Sequence, residues 1–264
     1  MSFSAAAAAF GADPGRWPLS PPTDCAELWL CAVAAGGQGR YAAARVCLAE
    51  LTRRTPRGRL GSLALSTHAS FLRQLGWHRL AAGWDGRALA RAGDDAEAGL
   101  DALIGLAADA LGVGRLAASA AFLDRAAVRL ARVPAAPPRL AMRLAWVRAE
   151  LAMVSGDGPA AVRHAREGIE LADSALPGLR RHRIKSDVVL AAALCSFGAA
   201  AAARDLADAA LDDAEKHGLV PLCWALSCLL ADTGSAVRSP ADIAEIRDRS
   251  VIYVMRHGGR WNSR

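Results

Sequence analysis

The chain has 264 residues, enough for a sizeable core in one extended domain or two small ones. Hydrophobic residues make up 53%, but alanine dominates them and no apolar window of roughly 18 residues is free of charge, so no membrane-spanning helix is expected. The net charge of +6 is carried almost wholly by arginine, which fits a GC-rich bacterial genome as well as it fits a nucleic-acid partner.

The opening MSFSAAAAAF has no basic leader and only a short apolar run, so a cytoplasmic protein is expected. Cys25, Cys31, Cys47, Cys195, Cys223 and Cys228 form no Cys-x-x-Cys pair and sit among apolar neighbours. They read as buried small hydrophobes in a reducing compartment, not as metal ligands.

Residues 1–22 combine an alanine tract with Pro14, Pro18, Pro21 and Pro22, the composition of a disordered lead-in. Thr23-Asp24 then offers an N-cap, and the pattern is helical almost without a break to Arg256. With two tyrosines, few β-branched runs and no Asn-Gly turn, strands are not expected. The class is all-α.

Five glycines, Gly39, Gly76, Gly114, Gly156 and Gly198, each divide two apolar-periodic segments at separations of 37, 38, 42 and 42 residues. Seven positions before each stands alanine: Ala32, Ala69, Ala107, Ala149 and Ala191. Five positions after stand Ala44, Ala81, Ser119, Ala161 and Ala203, and four before stand Ala35, Leu72, Ala110, Ala152 and Leu194. Two helices that cross closely need small residues at the crossing and a glycine to turn the chain. Pro56, Gly93, Pro134, Pro137, Pro138, Pro177 and Pro221 mark junctions between hairpins. After Gly218 follows an imperfect sixth unit, whose last helix starts at Ser239-Pro240-Ala241-Asp242 and caps the array; residues 258–264 form a basic tail, mobile unless Trp261 docks back.

The first unit, LWLCAVAAGGQGRYAAARVCLAELTRRTP, resembles a tetratricopeptide repeat: Gly39-x-Tyr41-x-x-Ala44 matches its turn, Leu48 and Leu51 its second helix, and Pro56 its closing proline. Five such units run from about 24 to 217, with His78, Leu116, Gly158 and Ala200 in place of the turn tyrosine and a spacing longer than the family's roughly 34 residues. Longer units of this kind are similar to helical-repeat sensor regions of some bacterial transcription activators. The resemblance implies a right-handed α-solenoid over residues 23–257 that acts as a non-catalytic scaffold or regulatory adaptor. Its implied partner is a peptide or protein held on the concave surface.

Chemistry-bearing motifs are scarce. Gly112-Val-Gly114-Arg-Leu-Ala117 fits the spelling of a dinucleotide fingerprint, but a helix and not a strand precedes it. No histidine pair has metal spacing and no Gly-x-Ser-x-Gly occurs, so no catalytic residue, metal or cofactor is expected. In the glycine register, positions thirteen, nine and six before the turn line the concave wall: Leu63, Thr67 and Ser70, then Asp101, then Arg143 and Glu150, then Lys185. The lysine-and-asparagine clamp of relatives that hold a terminal carboxylate is absent. Trp77 and Trp84, seven apart on one helix side, are candidate partner anchors. Arg180, Arg181, Arg183 and Lys185, with Arg53, Arg54, Arg57 and Arg59, are the basic clusters through which nucleic acid could bind. Apolar sides of the terminal units leave self-association open as well.

Overall fold

A computed structural model describes residues 4–262; the remainder of the expected lead-in (1–3) and tail (263–264) lies outside the described residues. After a short α1 (Ala5–Phe10) come six antiparallel hairpins. They are α2 (Cys25–Gly37) with α3 (Tyr41–Arg54), α4 (Gly58–Gln74) with α5 (His78–Ala92), and α6 (Ala96–Gly112) with α7 (Leu116–Leu130). Then follow α8 (Pro138–Val154) with α9 (Gly158–Asp173), α10 (Arg180–Ser196) with α11 (Ala200–Lys216), and α12 (Val220–Thr233) with α13 (Pro240–Arg256). Among the described residues there is no strand.

The hairpin turns follow from the glycine register. Gly39, Gly76, Gly114, Gly156 and Gly198 all have φ between 75° and 88°, where a side chain would be strained. In each turn the next residue donates its N–H to the carbonyl four positions before the glycine, as in Arg40 to Ala35 (2.8 Å) and Ala199 to Leu194 (2.9 Å). The otherwise orphaned carbonyls of the helix end are thereby satisfied. The alanine column at Ala32, Ala69, Ala107, Ala149 and Ala191 is wholly buried, and so are Ala44, Ala81, Ser119 and Ala161, with Ala203 almost so. Small residues let the helix axes approach at these points. Helix starts obey their sequence signals: Asp24, Asp95 and Asp157 accept from the third residue on, and Ser239 with Asp242 closes a capping box.

Each helix packs on the next, and α2, α4, α6, α8, α10 and α12 also pack on one another in sequence. The first helix of every hairpin therefore belongs to one continuous layer. The last hairpin and the residues after it then return to the first two: His257 O accepts from Ala42 N (2.8 Å) and Leu75 O from Asn262 N (2.9 Å), while the Trp261 ring also lies 4.3 Å from Trp224 of α12. Residues 258–262, expected to be mobile, are docked, with Trp261 packed against the core built by α2, α3 and α4. The terminal units on which self-association was expected to rely touch each other.

Residues 4–22 also depart from expectation. Ser4 caps α1, whose Ala5, Ala8 and Ala9 are buried against α2. The alanine tract carries no charge, so its burial against α2 adds no charge-desolvation penalty to the entropy cost of ordering it.

Candidate functional site

The segment Ala5–Trp17 lies against first helices of several hairpins. Phe10 is its anchor. Its ring lies 5.4 Å from Trp29 of α2 and 5.8 Å from His182 of α10, and the Arg139 guanidinium of α8 stands 5.5 Å over it. Aromatic and cationic groups at such distances attract the ring beyond simple burial. Phe10 thus touches three helices that share no hairpin.

The main chain of the segment is held as firmly as its ring. The N-cap of α10, Leu179, has φ 54° and no side-chain cap, which leaves the first amides of that helix without partners of their own. Phe10 O accepts from Leu179 N (2.7 Å) and Gly11 O from Arg180 N (3.1 Å). The Gln38 side chain, 3% exposed, donates from Nε2 to the carbonyls of both Pro14 (2.9 Å) and Arg16 (3.0 Å). Gly15 passes so close to α11 that a Cβ there would fall 2.5 Å from the His217 carbonyl oxygen. Beyond it, the Arg40 guanidinium sits 4.5 Å over the Trp17 ring.

Charge in this channel is basic and confined. Arg139 binds Glu97 (2.6 Å) and Asp101 (3.0 Å), and Arg143 also pairs with Asp101. Burial pulls the guanidinium groups of Arg143 and Arg181 down to about 10. The same burial, with Arg181, Arg139 and Arg143 nearby, pushes His182 well below the ordinary histidine range. A neutral imidazole stacks on Phe10 and Trp146 without the cost of a buried charge.

The expected wall residues lie on first helices of the hairpins, α4, α6, α8 and α10, and few are open. Leu63 is fully buried, Thr67 accepts from the Trp29 indole N–H (3.0 Å), and Ser70 bonds back to the Thr67 carbonyl. Asp101 is buried under its two arginines, while Glu150 and Lys185 face each other at 3.7 Å on the rim. Trp29, Gln38, Arg139 and His182, which contact this segment, were not among the expected site residues, although Trp29 and Gln38 lie in the first repeat unit and His182 in the basic run 180–185. The one signal was an aromatic residue closing an alanine tract, ahead of Asp13-Pro14-Gly15.

Trp77 and Trp84 serve separate surroundings. The Trp77 indole donates to Arg260 O (2.6 Å) and borders a surface cavity of about 660 Å³ with His78, Arg79, Val113 and Asn262. Trp84 packs edge-on to His68 (4.4 Å) under the Arg87 guanidinium (3.8 Å). Beneath the cavity, buried Arg73 bridges Asp85 and Asp109, and His78 Nδ1 lies 3.8 Å from Asp109. Burial raises the Asp85 carboxyl most; Arg73 opposes it and Asp109 adds to it, so the group is pushed up to about 7.

The arginine clusters are largely paired within the chain. Arg53 and Arg54 share Glu50, Arg59 binds Glu97, Arg180 binds Asp213 (2.8 Å), and Arg183 joins Asp173 and Asp187. Arg181 points inward, its side chain against Gly37. Gly112 to Ala117 forms a helix–helix turn, not a strand–helix loop. Among the described residues no His, Cys, Asp and Glu group is arranged to hold a metal, and burial pushes the Cys31 and Cys223 thiols up to about 11 and about 12. No family model matches the chain, and no curated protein matches it.

Proposed function

We propose that the chain is a tetratricopeptide-like α-solenoid that works without catalysis, as a scaffold or adaptor whose inner channel holds a short peptide segment of a partner protein. The observation that carries this reading is the manner in which the channel holds Ala5–Trp17. Gln38 and the start of α10 bond four main-chain carbonyls, and one aromatic box takes Phe10. Main-chain bonds supply affinity and a single pocket supplies choice, the division of labour found where proteins recognise peptides. Internal pairing of Arg53, Arg54, Arg59, Arg180 and Arg183 makes nucleic acid the weaker alternative.

Selection of a displayed peptide library on the protein tests this. Enriched peptides should lose most of their binding to Gln38→Ala and Arg139→Lys variants that a thermal melt shows to be folded. A library from which nothing enriches, beside salt-sensitive binding of duplex DNA or RNA, would replace the reading with the nucleic-acid one.

A further inference from the structure

The segment Ala5–Trp17 is itself a peptide seated against these helices. We infer that Ala5–Trp17 is a displaceable internal ligand, and that the channel accepts from a partner a segment of the same design: one short turn of small residues, an aromatic residue, then extended chain. This rests on the peptide-binding reading and adds the identity of the ligand.

Each part of the design has its counterpart in the channel. Ala8 and Ala9 are each only 1% exposed, so the two residues before the aromatic must be small. The aromatic ring enters the box of Trp29, His182 and Arg139. Its carbonyl and the next meet the free amides of α10, and the carbonyls four and six positions on meet Gln38. Glycine is required five positions after the aromatic, where the chain grazes His217. The buried side chains are few: Ala5, Ala8, Ala9 and Pro14. Ser4, Ala6, Ala7, Asp13 and Trp17 are exposed or nearly so, and beside the small buried residues the hold comes from one ring and from main-chain atoms. The tether that follows, Pro18 to Thr23, ends in exposed residues and leaves the channel before α2 begins.

A tethered ligand competes at an effective concentration on the order of 1 mM. It weakens an outside peptide of equal affinity by that concentration over its Kd, about 100-fold for a Kd of ~10 μM and more for a tighter one. The experiment uses the full chain with a protease site inserted at exposed Pro21. Binding of a labelled peptide of residues 4–20 is followed by fluorescence anisotropy before and after cleavage. Cleavage should permit exchange of the labelled peptide and raise its apparent affinity by the same factor. A Phe10→Ala peptide should bind the cleaved chain at least about tenfold more weakly. Phe10→Ala placed in the uncleaved chain should instead admit the wild-type peptide more readily.

Equal binding before and after cleavage overturns the inference, as does a Phe10→Ala peptide that binds like wild type. So does a cleaved chain that never exchanges its fragment, or that unfolds as the fragment leaves, because the segment is then core and not ligand. Library peptides that bind elsewhere on the protein in that event would leave the interaction reading standing without this one. Failure of both would leave neither.

Discussion

Single residues in this fold are constrained by closeness, and alanine is the clearest case. Ala69 and Ala107 have no exposed surface and stand where two helices cross. Ala69→Leu or Ala107→Leu should lower stability by about 1–3 kcal/mol, read from urea or thermal unfolding. Asp85 makes a different prediction. Its folded value near 7 lies above the 3.8 of an ordinary aspartate, so its contribution favours the folded state at low pH and is lost as pH rises between those values. Asp85→Asn should flatten that part of the melting-temperature profile. His182 acts with the opposite sign: held below 6.5, it favours the folded state at high pH, and that contribution is lost as pH falls through 6.5 and below.

At the scale of the element, the glycines divide into two kinds, and the sequence alone does not tell them apart. Gly114 has φ 76°, with open space around it, so Gly114→Ala meets only backbone strain and should cost about 1–2 kcal/mol. Gly83 lies inside α5 on an exposed face, with open space where a Cβ would go. Gly83→Ala should therefore stabilise the protein by about 0.5–1 kcal/mol, measured by thermal unfolding. A second helical glycine, Gly105, cannot accept the same change, because its Cβ would collide with the Asp85 carboxylate. Unit-to-unit fits are made the same way. Gly112 leaves room for the ring of His78, and Gly158 leaves room for Phe197, where the first unit instead joins Tyr41 to Gln74 by a hydrogen bond of 2.8 Å. Loss of the turn tyrosine after the first unit is thus accompanied by different pairs, each filling the space between adjacent turns.

The whole molecule is held by contacts between its ends. Trp261 stacks near Trp224 and packs on the first core cluster, while Trp77 and Leu75 bind the backbone of residues 260–262. Trp261→Ala should reduce stability by about 1–2 kcal/mol. It should also speed amide exchange at Ala42 and Asn262, whose N–H groups are bonded across that seam. Exchange that quickens instead throughout α8 and α9 would show that the seam does not hold the ends together.

The hairpins and their turns were legible from the sequence because their causes are local. A period of apolar residues, a small residue at each crossing and a glycine that tolerates positive φ all act within one unit of the chain. The ion-pair lattice, the docked tail and the filled channel were not legible, since each joins residues from separate units. Arg139 meets Glu97 42 positions away, and Trp77 meets Arg260 183 positions away. The site was misread for the same reason. The glycine register placed Leu63, Thr67 and Asp101 on an open wall, but Leu63 packs in the first core cluster, Thr67 bonds Trp29, and Asp101 is held by Arg139 and Arg143. Low complexity in residues 4–22 gave a disordered expectation because composition describes a segment in water. Whether that segment stays in water was decided by the groove that the six hairpins build, where Trp29, Gln38, Arg139 and His182 converge on it.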